Sequence, residues 1–166
     1  QMCIRDSPSR QVEENMYDLS SQVASLRIGV QTMKALLGTY GTDEITAQMN
    51  HLRQESSSSC MEFLKEFGTA NLVGEQQLDD GVSLCLKVKI NHGKAVFDFS
   101  GTGSVREDNL NATEAIVSSV VCYCLRLLIG KDLPLNEGLL EPVEIDEPKR
   151  TLLNPDFLHQ TKIQPG

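Results

Sequence analysis

Positive charge is scarce in this chain: 15 Lys and Arg stand against 23 Asp and Glu over 166 residues, a formal net charge of −8. Nucleic acids and anionic membrane surfaces are gripped by clustered Lys and Arg, so neither is an expected partner. Long apolar runs are missing as well. The most apolar stretch, Ala115 to Ile129, is interrupted by Ser118, Ser119 and Arg126 and falls short of the roughly 20 residues a spanning helix needs. Five cysteines form an odd set without metal-like spacing, and no secretory signal precedes them, so reduced thiols and a soluble, cytoplasmic protein are expected. Cys122 and Cys124 are the one close pair; two residues apart on a helix they point away from each other, which assigns them to packing rather than to a metal. There is no Ser/His/Asp order, paired-His motif, Cys-x-x-Cys or internal repeat, and no metal ligand is assigned.

What is present suffices for one packed core, since 40% of the residues are hydrophobic, so one domain or part of one is expected. The stretch Met2 to Ser7 resembles the translation of a sequencing adapter, and residues 1–7 are set aside from fold reasoning. At the other end the chain stops in a Pro165-Gly166 turn signal. Residues 8–166 are therefore read as an internal fragment of a longer domain.

Val12, Met16, Leu19, Val23, Leu26, Val30, Met33 and Leu37 recur at alternating spacings of four and three, the apolar seam of one long helix that Gly38 and Gly41 should end. A second helix is expected from Thr42 through Phe67, packed on the first as an antiparallel hairpin, with a kink or break at Ser56 to Ser59 because serine competes for backbone hydrogen bonds. From Val82 the period becomes two. Val82 to Ile90 and Lys94 to Phe99 read as a β-hairpin around Asn91-His92-Gly93, with His92 a turn residue rather than a ligand. Asn111-Ala112-Thr113-Glu114 looks like a capping box with Asn111 as N-cap, opening a helix that Gly130 stops; Val143 to Ile145 is a short strand closed by Pro148. The fold class is α+β: a long N-terminal helical hairpin, a β-hairpin, a capped helix and short strands, forming part of a larger mixed domain.

Two features invite a chemical reading. Asn15, Asp18, Gln22, Ser25 and Gly29 line a small, polar face beside the apolar seam, either solvated or turned toward a polar cavity or partner. Asp98 lies between two phenylalanines just before Ser100-Gly101-Thr102-Gly103-Ser104, where glycines let backbone amides approach an anion. That turn lacks the lysine of a phosphate-binding loop, and a bare strand-to-helix connection explains it as well. Hydrogen bonding to the turn's own amides equally explains Asp98.

The strings Glu14 to Gln22, Leu78-Asp79-Asp80-Gly81, Phe97-Asp98-Phe99-Ser100-Gly101-Thr102, Asn109-Leu110-Asn111-Ala112 and Asp132 to Gly138 occur in this order. Together they resemble the hydantoinase B/oxoprolinase family, over roughly Val12 to Pro155. The resemblance implies an ATP-dependent cyclic-amide hydrolase in which an A-type subunit or domain binds ATP and activates the ring carbonyl, and the B part shares in opening rings such as 5-oxoproline or hydantoins. It also implies that the fragment is inactive alone. The large subunits of ketone carboxylases resemble the same superfamily, and a non-catalytic subunit-interaction module is a further alternative. Carried over position by position, the resemblance points to Asp98, Ser100, Thr102, Asn111 and Asn136 as site-lining residues. Asn15, Asp18, Gln22, Gly101 and Gly103 follow as substrate- or subunit-facing residues, with Asn111 also readable as a simple helix cap. The tail departs from the family pattern at Pro148-Lys149-Arg150 and after Phe157.

Overall fold

The computed structural model describes residues 12–108 and 110–155; the adapter-like segment and the tail beyond Pro155 lie outside them. The chain divides into two compact units, with the boundary after Met49.

The first unit holds helix α1 (Val12–Tyr40) and the start of helix α2 (Thr42–Phe67). The predicted seam forms one unbroken helix, and it stops where expected: Gly41 takes a left-handed φ of 82° and its amide bonds Leu37 O at 2.9 Å. Much of the α1 seam faces solvent, with Leu26 68% and Val30 54% exposed.

The second unit begins within α2 and contains β1 (Ala70–Gln77), β2 (Ser83–Asn91), β3 (Lys94–Asp98), α3 (Glu114–Ile129), a short 3₁₀ turn (Glu137–Leu140) and β4 (Val143–Asp146). The four strands make one mixed sheet in the order β1-β2-β3-β4, antiparallel except for the parallel β3–β4 pair that α3 connects. The architecture is α+β. The hairpin forms as its alternation demands: Val88 pairs with Phe97 and Ile90 with Ala95, so one face carries the apolar set. His92 (φ 50°) and Gly93 (φ 76°) both adopt the left-handed conformation that a tight two-residue hairpin requires. A Cβ on Gly93 would run into the side chains of Lys65 and Met61, so the turn seats on α2.

β1 is the strand the sequence pattern does not assign. Asn71-Leu72-Val73-Gly74-Glu75-Gln76-Gln77 has no alternation because β1 is an outer strand, its residues almost all exposed. It is held by full antiparallel pairing to β2, from Ala70 opposite Ile90 to Gln77 opposite Ser83.

The core joins Cys60 and Leu64 of α2, Ile90 and Ala95 of the sheet, Val117, Val121, Cys122 and Leu125 of α3, and Leu133 and Leu139 of the following loop. Here the expectation of a break at the serine run is overturned. α2 is continuous, and Ser56, Ser57 and Ser59 are among its buried residues. Their small side chains let the loop after α3 approach the helix closely, and the hydroxyls find partners there instead of competing for the helix backbone. The cysteines follow the same logic: Cys122 is buried and Cys124 exposed, on opposite sides of α3. Burial, with Cys122 beside it, pushes the Cys60 thiol up to about 11, which suits packing rather than reactivity. Among the described residues no helix is long and apolar enough to cross a membrane.

Candidate functional site at the carboxyl ends of the parallel strands

In a sheet with parallel strands and a covering helix, the strand carboxyl ends, the turns that follow them and the helix N-terminus converge, and ligands commonly bind there. Here that region collects Asp98 and the Ser100–Gly103 turn from β3, the loop leading to Glu114 at the start of α3, and Glu147 just past β4.

Asp98 closes a tight turn. Its Oδ1 accepts the Ser100 amide at 2.7 Å. The Ser100 hydroxyl and amide, with Lys87 and Lys89 on the neighbouring strand, hold its carboxyl below the usual carboxylate range. The carboxylate is thus ionised and oriented. Thr102 is buried and is spent on structure: its Oγ1 accepts the Cys85 amide and donates to the Cys85 carbonyl, both at 3.1 Å, so its side chain continues the ladder of β2. Gly101 has φ 100°, where only glycine is unstrained, and a Cβ on Gly103 would strike Val82. The turn is no open anion cradle, because three of its amides are engaged internally. Ser100 N binds Asp98, Thr102 N the Phe99 carbonyl at 3.1 Å, and Gly103 N the Ser83 carbonyl at 2.8 Å. A phosphate ligand does not fit it.

Asn111 is not the N-cap of α3. The helix starts at Glu114 with Thr113 in the cap position, extended and without a side-chain cap bond, while Gly130 ends it in the left-handed conformation as expected. Asn111 instead ties its own loop together: Oδ1 accepts the Arg106 amide at 2.9 Å, and Nδ2 donates to the carbonyls of Arg106 at 2.9 Å and Asp108 at 3.1 Å. The capping-box spacing misleads because these nearby loop groups compete for the Asn111 amide group and satisfy it fully. Arg106 in turn bridges Asp108 and Asp80 of the β1–β2 turn, which holds Asp108 down at about 2.

Asn136 is placed elsewhere. It starts the 3₁₀ turn that feeds the amino end of β4: Oδ1 accepts the Gly138 amide at 2.8 Å, and Nδ2 donates to Ser56 Oγ at 3.0 Å and to the Leu52 carbonyl at 3.3 Å. Asn15, Asp18 and Gln22 belong to α1 in the first unit; Asn15 is half-buried, Asp18 and Gln22 exposed. Of the residues singled out by sequence, then, Asp98, Ser100 and Gly101 share one turn, and Asn136 does not join them.

The residue that sequence reasoning missed is Glu147. Asp146 pairs with Asp98 and Ile145 with Phe97, and the Phe99 amide bonds the Asp146 carbonyl at 3.0 Å. By alternation Glu147 therefore lies on the Phe99 face, toward α3, opposite Asp98. Its two carboxyl oxygens are buried and lack a hydrogen-bond partner among the described residues. Burial, then the nearby Glu114 carboxylate, raises its pKa above the ordinary value. The only sequence signal was a carboxylate in phase with Val143 and Ile145. Beside it, between the β1–β2 strands and α3, runs an apolar cleft of about 400 Å³ lined by Gly74, Leu84, Leu86, Phe99, Ile116 and Val120. Among the described residues no group of three His, Cys, Asp or Glu could hold a metal ion.

Fold and site thus define an α+β domain with a mixed sheet, whose chemistry-bearing groups gather past a single parallel strand pair. The chain belongs to the hydantoinase B/oxoprolinase family, whose model matches residues 1–162. It is 39% identical over 155 residues to a 5-oxoprolinase of Saccharomyces cerevisiae, covering 90% of this chain and 12% of that protein. It is 34% identical over 163 residues to 5-oxoprolinase 1 of Arabidopsis thaliana, covering 89% and 13%. The crystal structure of an ATP-dependent caprolactamase from Pseudomonas jessenii shares the fold, with a TM-score of 0.71 at 22% identity over 91% of this chain and 27% of that one. The chain spans about an eighth of the length of the two oxoprolinases.

Proposed function

We propose that this chain is part of an ATP-dependent hydrolase that opens cyclic amides such as 5-oxoproline or a hydantoin, with ATP bound by an A-type subunit or domain. The observation that carries the reading is the identity to 5-oxoprolinases along nine-tenths of the chain. The geometry agrees with ATP being held elsewhere, since the Ser100–Gly103 amides are already spoken for. ATP supplies the activation an amide carbonyl lacks. This chain's share is to present an oriented, ionised Asp98 with Ser100 at the strand ends, positioning a polar group or water. The described fragment alone is expected to be inactive.

The test is turnover by the whole protein with its A-type partner, read as ADP release that depends on an added cyclic amide. Asp98→Asn keeps the turn, because an amide oxygen can still accept from Ser100, and should lower ring opening roughly 100-fold while barely moving thermal stability. Wild-type turnover in that variant removes Asp98 from the site. ADP release indifferent to every cyclic amide overturns the reading.

A second reading, a subunit-interaction module, is favoured by exposed apolar faces: Val23, Leu26 and Val30 on α1, and, in the second unit, Val120, Tyr123 and Leu127 on α3. The two readings are compatible if those faces dock the remainder of the enzyme.

A further inference from the structure

Glu147 is the described side chain whose buried polar atoms are left unmatched, in a fold that otherwise satisfies its polar groups closely. Its backbone carbonyl is used, accepting Asn154 Nδ2 at 3.0 Å; only the carboxyl group is idle. Leaving such a group unpaired costs about 1–3 kcal/mol, so its placement calls for an explanation beyond packing. The position is the one where a site is built: past the carboxyl end of β4, beside the Asp98 turn, facing the first turn of α3. The one charged group that acts on it there is Glu114, another acid. Asp146, its neighbour in sequence, lies on the other face with Asp98. No cation on the adjoining elements neutralises it.

We propose that Glu147 is the acid of this site: it carries a proton and delivers it to the ring nitrogen of the cyclic amide. As the ring C–N bond breaks, its electron pair stays on nitrogen, which takes the Glu147 proton and leaves as an amine. Water adds its oxygen to the acyl carbon, and a water proton restores the acid. The net change is amide plus water giving an amino acid. The raised pKa keeps the group protonated at a pH where an ordinary carboxylate would have lost its proton. This inference rests on the hydrolase reading for its substrate, and not for the state of the carboxyl group.

The experiment compares wild type and Glu147→Gln in the whole protein, with three readouts. The first is the carbonyl stretch of a protonated carboxyl group in difference infrared spectra, expected in wild type near neutral pH and absent from the variant. The second is thermal stability against pH. Because the folded-state pKa is raised, wild type loses stability as pH rises from the ordinary glutamate range through the raised value. The neutral variant escapes that loss, so the two should melt alike at about pH 4 and the variant higher at about pH 8. The third is 5-oxoproline-dependent turnover, expected to fall roughly 100-fold although the variant is the more stable protein. A variant less stable than wild type at both pH values would mean that Glu147 has a structural partner and would overturn the proposal. Full turnover in the variant would overturn it too. If wild type turns over no cyclic amide, the hydrolase reading fails by itself, and the infrared band and pH–stability curve still decide whether Glu147 is a protonated acid.

Discussion

The two ends of β4 handle polar groups in opposite ways. At its amino end, Asn136 uses both ends of its amide group, Gly138 is pressed on the α2 backbone at Arg53, and Ser56 both accepts from Asn136 and donates to the Pro134 carbonyl. At its carboxyl end, Glu147 keeps two buried oxygens without a partner, a few residues from an ionised Asp98. A saturated cluster fixes structure; an unsaturated one in the same small domain leaves capacity for a ligand. The Leu133–Gly138 string is thus explained by packing, although it helped to mark the family.

The contrast can be broken at several points. The largest effect is expected at Gly138→Ala, because the added Cβ would overlap the Arg53 carbonyl oxygen and crowd Asn136 Oδ1. Backbone cannot yield as a flexible side chain does, so a loss of about 3 kcal/mol in chemical denaturation is expected. Asn136→Ala comes next, at about 2 kcal/mol, since it strands the Gly138 amide and Ser56 in a partly buried cluster. If it left stability intact but removed turnover, Asn136 would belong with Asp98 and Glu147 after all. Asn111→Ala should cost about 1 kcal/mol through the Arg106 loop, whereas Thr113→Ala, with no cap bond to lose, should cost a few tenths, less than the usual ~1 kcal/mol for a cap. The reverse order would restore the capping-box reading.

Much of the fold was legible because its signals are local. The seven-residue seam of α1, the Gly41 stop, the alternation of β2 and β3, the Asn91–Gly93 turn and the Gly130 stop each follow from neighbours within one turn or one strand. What was not legible depends on partners far along the chain. β1 is a strand because β2 offers it a ladder; the serines of α2 are buried because a loop 78 residues away needs room. The site divides likewise: Asp98 stood out by its strings, but Glu147 is an ordinary glutamate until the sheet closes over it.

By itself, then, the sequence determined the element types, the acidic surface and the family, since periodicity, composition and motif order are properties of the chain alone. The tertiary structure alone decided which polar groups are spent and which are spare. Whether Asn111, Asn136, Thr102 or Glu147 meets a partner depends on what packing and strand register bring within about 3 Å of it, and burial sets the penalty for meeting none.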